Sequence, residues 1–326
     1  MRYTALPATD FTPSVICLGT GGFGTKTPQD QAFAMLDLFA ELGGNFLDSA
    51  RVYAAWLPGG AGASERTIGA WLKSRGVAAS FVVATKGGHP DLKTMHISRL
   101  SPQEIAADVT ASLDALAVAT IDLYWLHRDD PAIPVGEIMD ALHAQVAAGR
   151  LTALGASNWT PARIEAANAY AAGRGRPGFC ASQIGWSFAV ADTSAAPFGG
   201  TLSMDAATLA YHQRTGFPVM AYSSQAAGFF AGKGDRYRDQ ADAKPDGFSR
   251  TYVSAANFAR LDRAQELAAR RGRPANDIAL AYLLNQPFPV YALVGCQTAA
   301  QIRSSCAASD LRLTPAELRF LASADS

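Results

Sequence analysis

The sequence predicts an α/β protein whose single domain, residues 1–326, is a closed (β/α)8 barrel of the TIM type. Short apolar runs alternate along the chain with amphipathic stretches that are long enough for helices. The runs number eight, which fits a closed parallel barrel better than an open doubly wound sheet. Titratable side chains stand at the ends of several runs, where the active sites of such barrels lie.

Eight strands and the helices between them account for most of the chain. The predicted strands are Val15–Leu18, Asn45–Asp48, Phe81–Lys86, Ile121–His127, Ala153–Ser157, Cys180–Ile184, Pro218–Tyr222 and Tyr291–Val294. The predicted helices are roughly Pro28–Leu42, Ser64–Arg75, Ser101–Leu116, Val135–Ala148, Pro161–Ala172, Met204–Thr215, Phe258–Arg271, Pro274–Gln286 and Thr298–Ala308. Thr27, Ser101 and Thr160 each precede a proline, and a capping residue before proline is typical of a helix start.

Three segments lie outside the strand and helix repeat. Residues 1–12 precede the first barrel strand and are predicted to form a small hairpin. Residues 228–257 form a long loop rich in charged residues, and loops of this length serve as lids or binding loops or are disordered. Pro315–Ala322 is predicted as a final helix, because Thr314 is a suitable cap and Glu317 stands at the third helical position.

The composition excludes several classes of protein. Hydrophobic residues make up 49% of the chain, and 28 basic residues balance 28 acidic ones. Without a basic run to follow a phosphate backbone, we expect no nucleic-acid partner. No stretch approaches the ~20 apolar residues that a membrane span needs, and the first residues lack the apolar core of a signal peptide. Cys17, Cys180, Cys296 and Cys306 form no CxxC pair, so we expect reduced thiols in a cytoplasmic protein.

Asp48, Lys86 and His127 end three predicted strands, and Tyr53 lies in the loop after Asp48. Each has an ordinary structural explanation when it is taken alone. Together at one barrel mouth they form a proton-transfer site, since a buried lysine is costly unless it is paired and Asp48 can pair with it. A charged Lys86 is then expected to lower the pKa of Tyr53 from its usual ~10, which would let Tyr53 exchange a proton with a carbonyl oxygen.

These residues and their neighbours resemble the aldo-keto reductase superfamily over nearly the whole chain. The motifs that carry the resemblance are Gly19-Thr20-Gly21-Gly22-Phe23-Gly24, Leu47-Asp48-Ser49-Ala50-Arg51-Val52-Tyr53, Ala84-Thr85-Lys86, Asp122-Leu123-Tyr124-Trp125-Leu126-His127, Gly155-Ala156-Ser157-Asn158 and Ala221-Tyr222-Ser223. The resemblance implies a catalytic tetrad in which Tyr53 is the general acid, Lys86 its tuning cation, Asp48 the partner of Lys86 and His127 the group that orients the carbonyl.

None of the four can supply a hydride, so a carbonyl reduction needs a cofactor. The resemblance implies a nicotinamide dinucleotide that lies extended across the barrel mouth, with NADP(H) favoured over NAD(H). Side chains at the fifth and sixth strand ends are expected to hold the carboxamide, and Tyr222 is expected to stack on the ring. The expected cofactor contacts are Gly21, Gly22, Phe23, Asp48, Ser157, Asn158, Gln183, Tyr222, Ser223, Ser224, Gly295, Gln297 and Gln301.

Two features leave the cofactor interpretation open. The motif from Gly19 to Gly24 also satisfies GxGxxG, which would suit an open dinucleotide-binding sheet with Asp48 as its ribose-binding acid. At the adenosine end, Gly295 and Gln301 replace basic residues that NADPH-preferring members of the family often carry. The helix N-terminus at Thr298, helped by Arg303, remains able to bind a phosphate.

Trp56, His89, Arg128 and Trp159 follow catalytic or cofactor candidates and are expected to line the substrate pocket. Their mixed aromatic and charged character suits a polar carbonyl compound such as a sugar or a hydroxylated ring. No metal motif or nucleophile elbow is present in the sequence, which counts against a hydrolase. The alternatives are a dinucleotide-binding redox sensor or regulatory subunit, and an enzyme acting mainly as an alcohol or sugar dehydrogenase. No pattern indicates an oligomeric state.

Overall fold

Eight parallel strands pair in chain order and close into a barrel, since the last strand also pairs with the first. The computed structural model describes residues 1–195, 199–240 and 242–323. The strands are β1 Ile16–Gly19, β2 Phe46–Asp48, β3 Val82–Gly87, β4 Ile121–Leu126, β5 Leu151–Ser157, β6 Phe179–Gly185, β7 Val219–Tyr222 and β8 Val290–Val294. The closed topology confirms the predicted (β/α)8 barrel, and the open-sheet interpretation of the glycine motif is wrong.

Helices cover the outside of the barrel between successive strands. They are α1 Gln29–Glu41, α2 Ala63–Arg75, α3 Pro102–Leu116, α4 Val135–Ala147, α5 Pro161–Ala172, α6 Ala206–Thr215, α7 Lys233–Asp239, α8 Ala255–Arg271, α9 Ala275–Leu284, α10 Ala299–Ala308 and α11 Pro315–Ala322. Ser101 and Thr160 cap α3 and α5 through their side chains, as the sequence predicts. The predicted cap at Thr27 is wrong, because Pro28 is the N-cap of α1 and no side chain caps that helix.

The N-terminal segment forms the predicted hairpin and closes the base of the barrel. Its two arms exchange backbone hydrogen bonds, including Thr4 N to Pro13 O at 3.1 Å and Leu6 N to Phe11 O at 2.9 Å. Leu6 is 1% exposed and packs among side chains from the N-terminal ends of the strands. The Tyr291 hydroxyl donates to the carbonyl of Thr4 at 3.1 Å, which ties the hairpin to β8. The barrel is therefore closed at the end opposite the predicted site.

The segment 228–257 differs from the predicted long polar loop. A 3-10 helix (Ala226–Ala231), α7 and a second 3-10 helix (Gly247–Tyr252) occupy most of its described part, which leaves out residue 241. Phe229, Phe230 and Tyr252 are buried and pack against α8 and α9 in a second apolar cluster. The prediction of a polar loop was wrong because it rested on the many charged residues of the segment, among which these few apolar side chains are sparse.

The four cysteines are free and buried. Burial raises the pKa of Cys180 to about 12 and that of Cys296 to about 11, so neither thiol is ionised near neutral pH. Within the described ranges, no helix has both the length and the apolar character needed to cross a membrane.

Candidate active site

The ends of β2, β3 and β4 bring three of the four predicted catalytic residues to the barrel mouth. Asp48 is the last residue of β2 and pairs with Ala84 of β3, while Lys86 lies two residues further along the same strand. His127 follows the last residue of β4 directly. Parallel pairing therefore places these side chains on neighbouring strands at one end of the barrel.

Tyr53 comes to the same place on the loop between β2 and α2. The loop is fixed to β3 by a hydrogen bond from Arg51 N to Lys86 O at 2.9 Å. Tyr53 N in turn donates to Ala50 O at 3.1 Å, and Ala54 adopts a left-handed backbone with φ of 61°. These tight turns direct the Tyr53 ring back over the barrel toward Lys86.

The Lys86 ammonium is the centre of the site. It is 1% exposed and donates to the Asp48 carboxylate, to Ser49 O at 2.7 Å and to the Tyr53 hydroxyl oxygen at 3.0 Å. Burial lowers the pKa of Lys86, but Asp48 and Tyr53 together raise it by more than burial lowers it. The pKa of Lys86 therefore lies above the ordinary value. Lys86 is therefore charged near neutral pH, and its three protons are all directed at acceptors.

The pKa of Tyr53 is raised, whereas the sequence led us to expect it to be lowered. Burial has the largest effect, because it disfavours the phenolate, and Asp48 adds to it. Lys86 acts in the expected direction but does not outweigh burial. The phenol of Tyr53 is consequently protonated near neutral pH and is ready to act as a proton donor.

His127 stands beside Tyr53 as a neutral imidazole. Burial, followed by the charge of Lys86, holds the pKa of His127 well below its ordinary value. Its ring lies edge-on to the Tyr53 ring with centroids 6.1 Å apart, and the centroid of the His89 ring lies 4.9 Å from that of His127. The buried Nδ1 atom has no hydrogen-bond partner among the residues that the structure describes.

A chain of buried hydroxyl groups supports this site, although its members were not among the residues predicted from the sequence. The Ser64 hydroxyl, in the first turn of α2, lies 2.8 Å from the Thr20 hydroxyl and 2.7 Å from that of Ser49. Ser64 also donates to Thr20 O at 2.8 Å, and the carbonyl of Ser49 is an acceptor for Lys86. The available signal was a hydroxyl residue after β1, another after β2 and a third opening the next helix.

Asn158 and Tyr222 form one hydrogen-bonded group at the ends of β5 and β7. Asn158 has a left-handed backbone with φ of 60°, and its amide nitrogen donates to His127 O at 3.2 Å and to Ser157 Oγ at 3.1 Å. Its amide oxygen accepts from the Tyr222 hydroxyl at 2.8 Å and from Leu202 N at 3.0 Å. Asn158 thus joins three strand ends. Because its amide nitrogen and oxygen already have partners, a bound carboxamide would have to share Asn158 with them or replace one of them.

Gln183 contacts one of the catalytic candidates directly. Its side chain is buried, and its amide nitrogen donates to the second carboxylate oxygen of Asp48 at 3.1 Å. Gln183 therefore orients Asp48 as well as standing beside the predicted cofactor position.

The first loop places bare backbone beside Tyr53. A Cβ atom on Gly21 would lie 3.6 Å from the Tyr53 ring, so Gly21 borders the mouth directly. The carbonyl oxygen of Gly22 accepts a hydrogen bond from Thr27 N at 2.9 Å, which holds the loop in a tight turn. The Phe23 side chain is buried in the main core, which leaves only its main chain for the cofactor contact expected of it.

The expected adenosine-side residues have differing surroundings. The Ser224 hydroxyl donates to Leu293 O at 2.7 Å, and Ser223 has a left-handed backbone with φ of 54°. Gly295 faces open space, with no described atom within 4 Å of the position of a Cβ. The side-chain oxygen of Gln301 accepts the backbone N–H groups of Gln297 and Thr298 at 2.6 and 3.2 Å. This capping bond engages backbone amides at the helix N-terminus where a phosphate was expected to bind.

The four expected pocket residues separate in the structure. His89 packs against His127, and Arg128 is partly buried beside it. Trp56 is exposed on the loop after Tyr53. Trp159 does not line the mouth: it is 1% exposed, packs against Phe179 and donates from its indole to Arg128 O at 3.1 Å. The expectation for Trp159 is wrong, because the turn at Asn158 directs the ring to the core.

Known proteins share both the sequence pattern and the fold. The model of the Aldo/keto reductase family matches residues 15–326. The norsolorinic acid reductase stcV of Emericella nidulans is 29% identical, covering 94% of this chain and 76% of the relative. An aryl-alcohol dehydrogenase [NADP(+)] of Phanerodontia chrysosporium is 27% identical, covering 92% and 77%.

The solved structure of the thermostable aldo-keto reductase Tm1743, in complex with the inhibitor epalrestat, superposes with a TM-score of 0.73. It shares 21% identity and covers 98% of both chains, so it supports the fold alone. The family match extends over nearly the whole chain and agrees with the barrel and its mouth. The chain is therefore an oxidoreductase that belongs to the aldo/keto reductase family.

Proposed function

We propose that this protein reduces an aldehyde or ketone to an alcohol with NAD(P)H, and that Asp48, Tyr53, Lys86 and His127 are its catalytic residues. One observation carries the proposal. Lys86 donates to the Tyr53 oxygen at 3.0 Å, and an ammonium has no acceptor, so the phenol must direct its own proton elsewhere. The barrel mouth is the direction left for this proton. There Tyr53 is bordered by Gly21, which has no side chain, and by the His127 ring.

The residues at the mouth fit a nicotinamide dinucleotide. Bare backbone at Gly21 and open space at Gly295 leave room for an extended ligand, and the Nδ1 atom of His127 lacks a partner in the described part of the chain. Ser157, Asn158 and Gln183 would hold the carboxamide, and Tyr222 would lie against the ring. The dinucleotide supplies the hydride when it is bound. We propose NADP(H) as the preferred form, since one relative is named for NADP(+).

The proton chemistry follows from the geometry of the tetrad. Tyr53 donates its phenol proton to the carbonyl oxygen as negative charge develops there. Lys86 then stabilises the phenolate at 3.0 Å, and Asp48 keeps Lys86 charged in its buried position. Neutral His127 offers an N–H to the same oxygen without repelling the cation beside it. The same groups serve alcohol oxidation in reverse, with the phenolate as the base.

The substrate is proposed to be a carbonyl group on an aromatic or hydroxylated ring. The name of one relative, an aryl-alcohol dehydrogenase, points to a ring-bearing substrate. His89 and Trp56 supply aromatic surface on two of the loops around Tyr53.

The test is oxidation of NADPH and of NADH with a reactive aromatic aldehyde, comparing wild type with Tyr53→Phe. We expect turnover in wild type and a loss of roughly 100-fold or more in Tyr53→Phe, with cofactor binding retained. Tyr170→Phe is the matched control, because that phenol lies on the surface of α5 and bonds to Asp140. Turnover of Tyr53→Phe within tenfold of wild type would contradict the role given to Tyr53. Cofactor binding without turnover of any aldehyde would favour a sensing role.

A further inference from the structure

Arg128 places a guanidinium at the end of β4, where no carboxylate pairs with it among the residues that the structure describes. It follows His127 in the chain, is partly buried and makes a long contact from one terminal nitrogen to His127 O at 3.4 Å. Its Nε lies 3.8 Å from where a Cβ on Gly200 would stand. Burial lowers the pKa of Arg128, and the groups that act against this are the phenols of Tyr222 and Tyr53. Arg128 therefore stands at the end of β4, directly after His127.

The carboxylates nearest in the chain are already engaged. Asp129, which lines a cavity of about 170 Å³ with Arg128, accepts two hydrogen bonds from Arg163 at 2.9 and 2.8 Å. The carboxylate of Asp130, which lines the same cavity, accepts a hydrogen bond from Ala132 N at 3.0 Å. Across the ranges that the structure describes, Arg128 makes no ion pair, whereas neighbouring arginines on the same side of the barrel do.

The other basic side chains at the mouth are either paired with a carboxylate or uncharged. The charge of Lys86 is balanced by Asp48. His127 and His89 both have lowered pKa values, mainly because they are buried, so both rings are neutral near pH 7. Arg128 thus leaves a positive charge uncompensated beside His127. A partly buried cation without a partner is unfavourable, and a ligand that brings an anion would offset that cost.

We propose that Arg128 selects carbonyl substrates that carry a carboxylate, and binds that group while Tyr53 and His127 bind the carbonyl. This inference rests on the proposed function, because it names the substrate class of the same mouth. A guanidinium suits the task, since its planar fork can donate two parallel hydrogen bonds to one carboxylate. The position next to His127 allows one substrate to reach both groups.

The test compares two aldehydes with the same ring, the anionic 3-carboxybenzaldehyde and its neutral methyl ester. We expect wild type to have the higher kcat/KM for the acid. Arg128→Gln should reduce the ratio of the two kcat/KM values by at least about tenfold, as the loss of a hydrogen bond to a charged group predicts. Arg128→Lys should keep part of the preference. Arg319→Gln, which removes an exposed charge from α11, should leave the ratio unchanged. An unchanged ratio in Arg128→Gln would overturn the proposal.

A binding measurement separates this proposal from the proposed function. Calorimetry would compare the acid and the ester on the NADPH-loaded Tyr53→Phe protein, with and without Arg128→Gln. Tighter binding of the acid that depends on Arg128 supports the carboxylate site even if no aldehyde is turned over. A loss of NADPH affinity in Arg128→Gln, with no change in the preference for the acid, would assign Arg128 to the cofactor and overturn the proposal.

Discussion

At the scale of single residues, Lys86 controls the pH dependence of the proposed reaction. Its charge lowers the pKa of Tyr53, and burial raises it. Alcohol oxidation needs the Tyr53 phenolate as a base, so its rate rises as pH increases through that pKa. Without Lys86 only the raising effects remain, so the pKa moves upward. We expect Lys86→Met to lower the rate and to shift the pH profile of oxidation to higher pH.

The same substitution should destabilise the fold, because it leaves the Asp48 carboxylate buried without its cation. A loss of about 3 to 5 kcal/mol in the free energy of unfolding is expected, measured by urea denaturation at pH 7. The double variant Lys86→Met with Asp48→Asn should recover part of this stability but none of the rate. An unchanged pH profile in Lys86→Met would refute the electrostatic role of Lys86.

The sequence predicted where the site residues lie better than it predicted their environment. Asp48, Lys86 and His127 were found because strand ends can be recognised from apolar runs. The direction of the Tyr53 pKa was missed, since burial is a property of the assembled mouth. Trp159 was misplaced because strand periodicity does not show how a left-handed turn at the preceding residue directs a ring.

At the scale of elements, Ser64 connects α2 to the loops that follow β1 and β2. Its hydroxyl bonds to Thr20 and Ser49, and the carbonyl of Ser49 accepts from Lys86. We expect Ser64→Ala to cost about 1 to 3 kcal/mol of stability, because it leaves buried partners unsatisfied. It should also lower kcat, because Ser49 and hence Lys86 lose their support.

The matched control for Ser64→Ala is Thr67→Val on the same helix. The Thr67 hydroxyl is also buried, but it donates within the helix to Ala63 O at 2.8 Å. Both variants should be compared by urea denaturation and by the pH profile of turnover. A similar loss of kcat in both, or none in Ser64→Ala, would show that Ser64 is only a packing residue.

The pair between Arg271 and Glu317 fastens the C-terminal helix α11 to α8. Two hydrogen bonds of 2.7 Å join them, and Glu317 also completes the capping box of α11. The bond to Arg271 lowers the pKa of Glu317 to about 2. The stabilisation is therefore complete above the ordinary pKa of 4.5 and is lost as pH falls from there toward 2.

We expect Glu317→Gln to reduce stability by about 1 kcal/mol at pH 7, which is the upper range for partly exposed pairs. Glutamine retains an oxygen for the capping box, so the substitution removes the charge and one acceptor of Arg271 but keeps the cap. The difference from wild type in urea denaturation should shrink below pH 4.5. A difference that stays constant between pH 7 and pH 3 would show that the charge pair is not its cause.

Elements were predicted well where periodicity was strong and poorly where apolar residues were sparse. All eight strands fall within two residues of their predicted bounds, because each is an apolar run between polar loops. The segment 228–257 was assigned to a loop because its charges dominate a local window. Its helical turns bury Phe229, Phe230 and Tyr252 against α8 and α9, and such distant contacts leave no local pattern.

At the scale of the whole molecule, the two ends of the barrel have different tasks. The mouth holds a buried ion pair and left-handed residues such as Asn158 and Ser223, which are costly features in a fold. The base holds Leu6 and its hairpin, packed against apolar side chains from the starts of the strands. Substitutions at the base are therefore expected to change stability alone, whereas those at the mouth also change activity.

Leu6→Ala tests this division directly. Removing a fully buried leucine side chain should cost about 2 to 5 kcal/mol, because a cavity is left below the strands. The hairpin lies at the opposite end from Tyr53, so kcat per folded molecule should stay within about twofold of wild type. Thermal unfolding and active-site titration with cofactor would measure the two effects separately. A fall in kcat as large as that of Ser64→Ala would mean that the barrel transmits strain from base to mouth, and the two ends could then not be treated as independent.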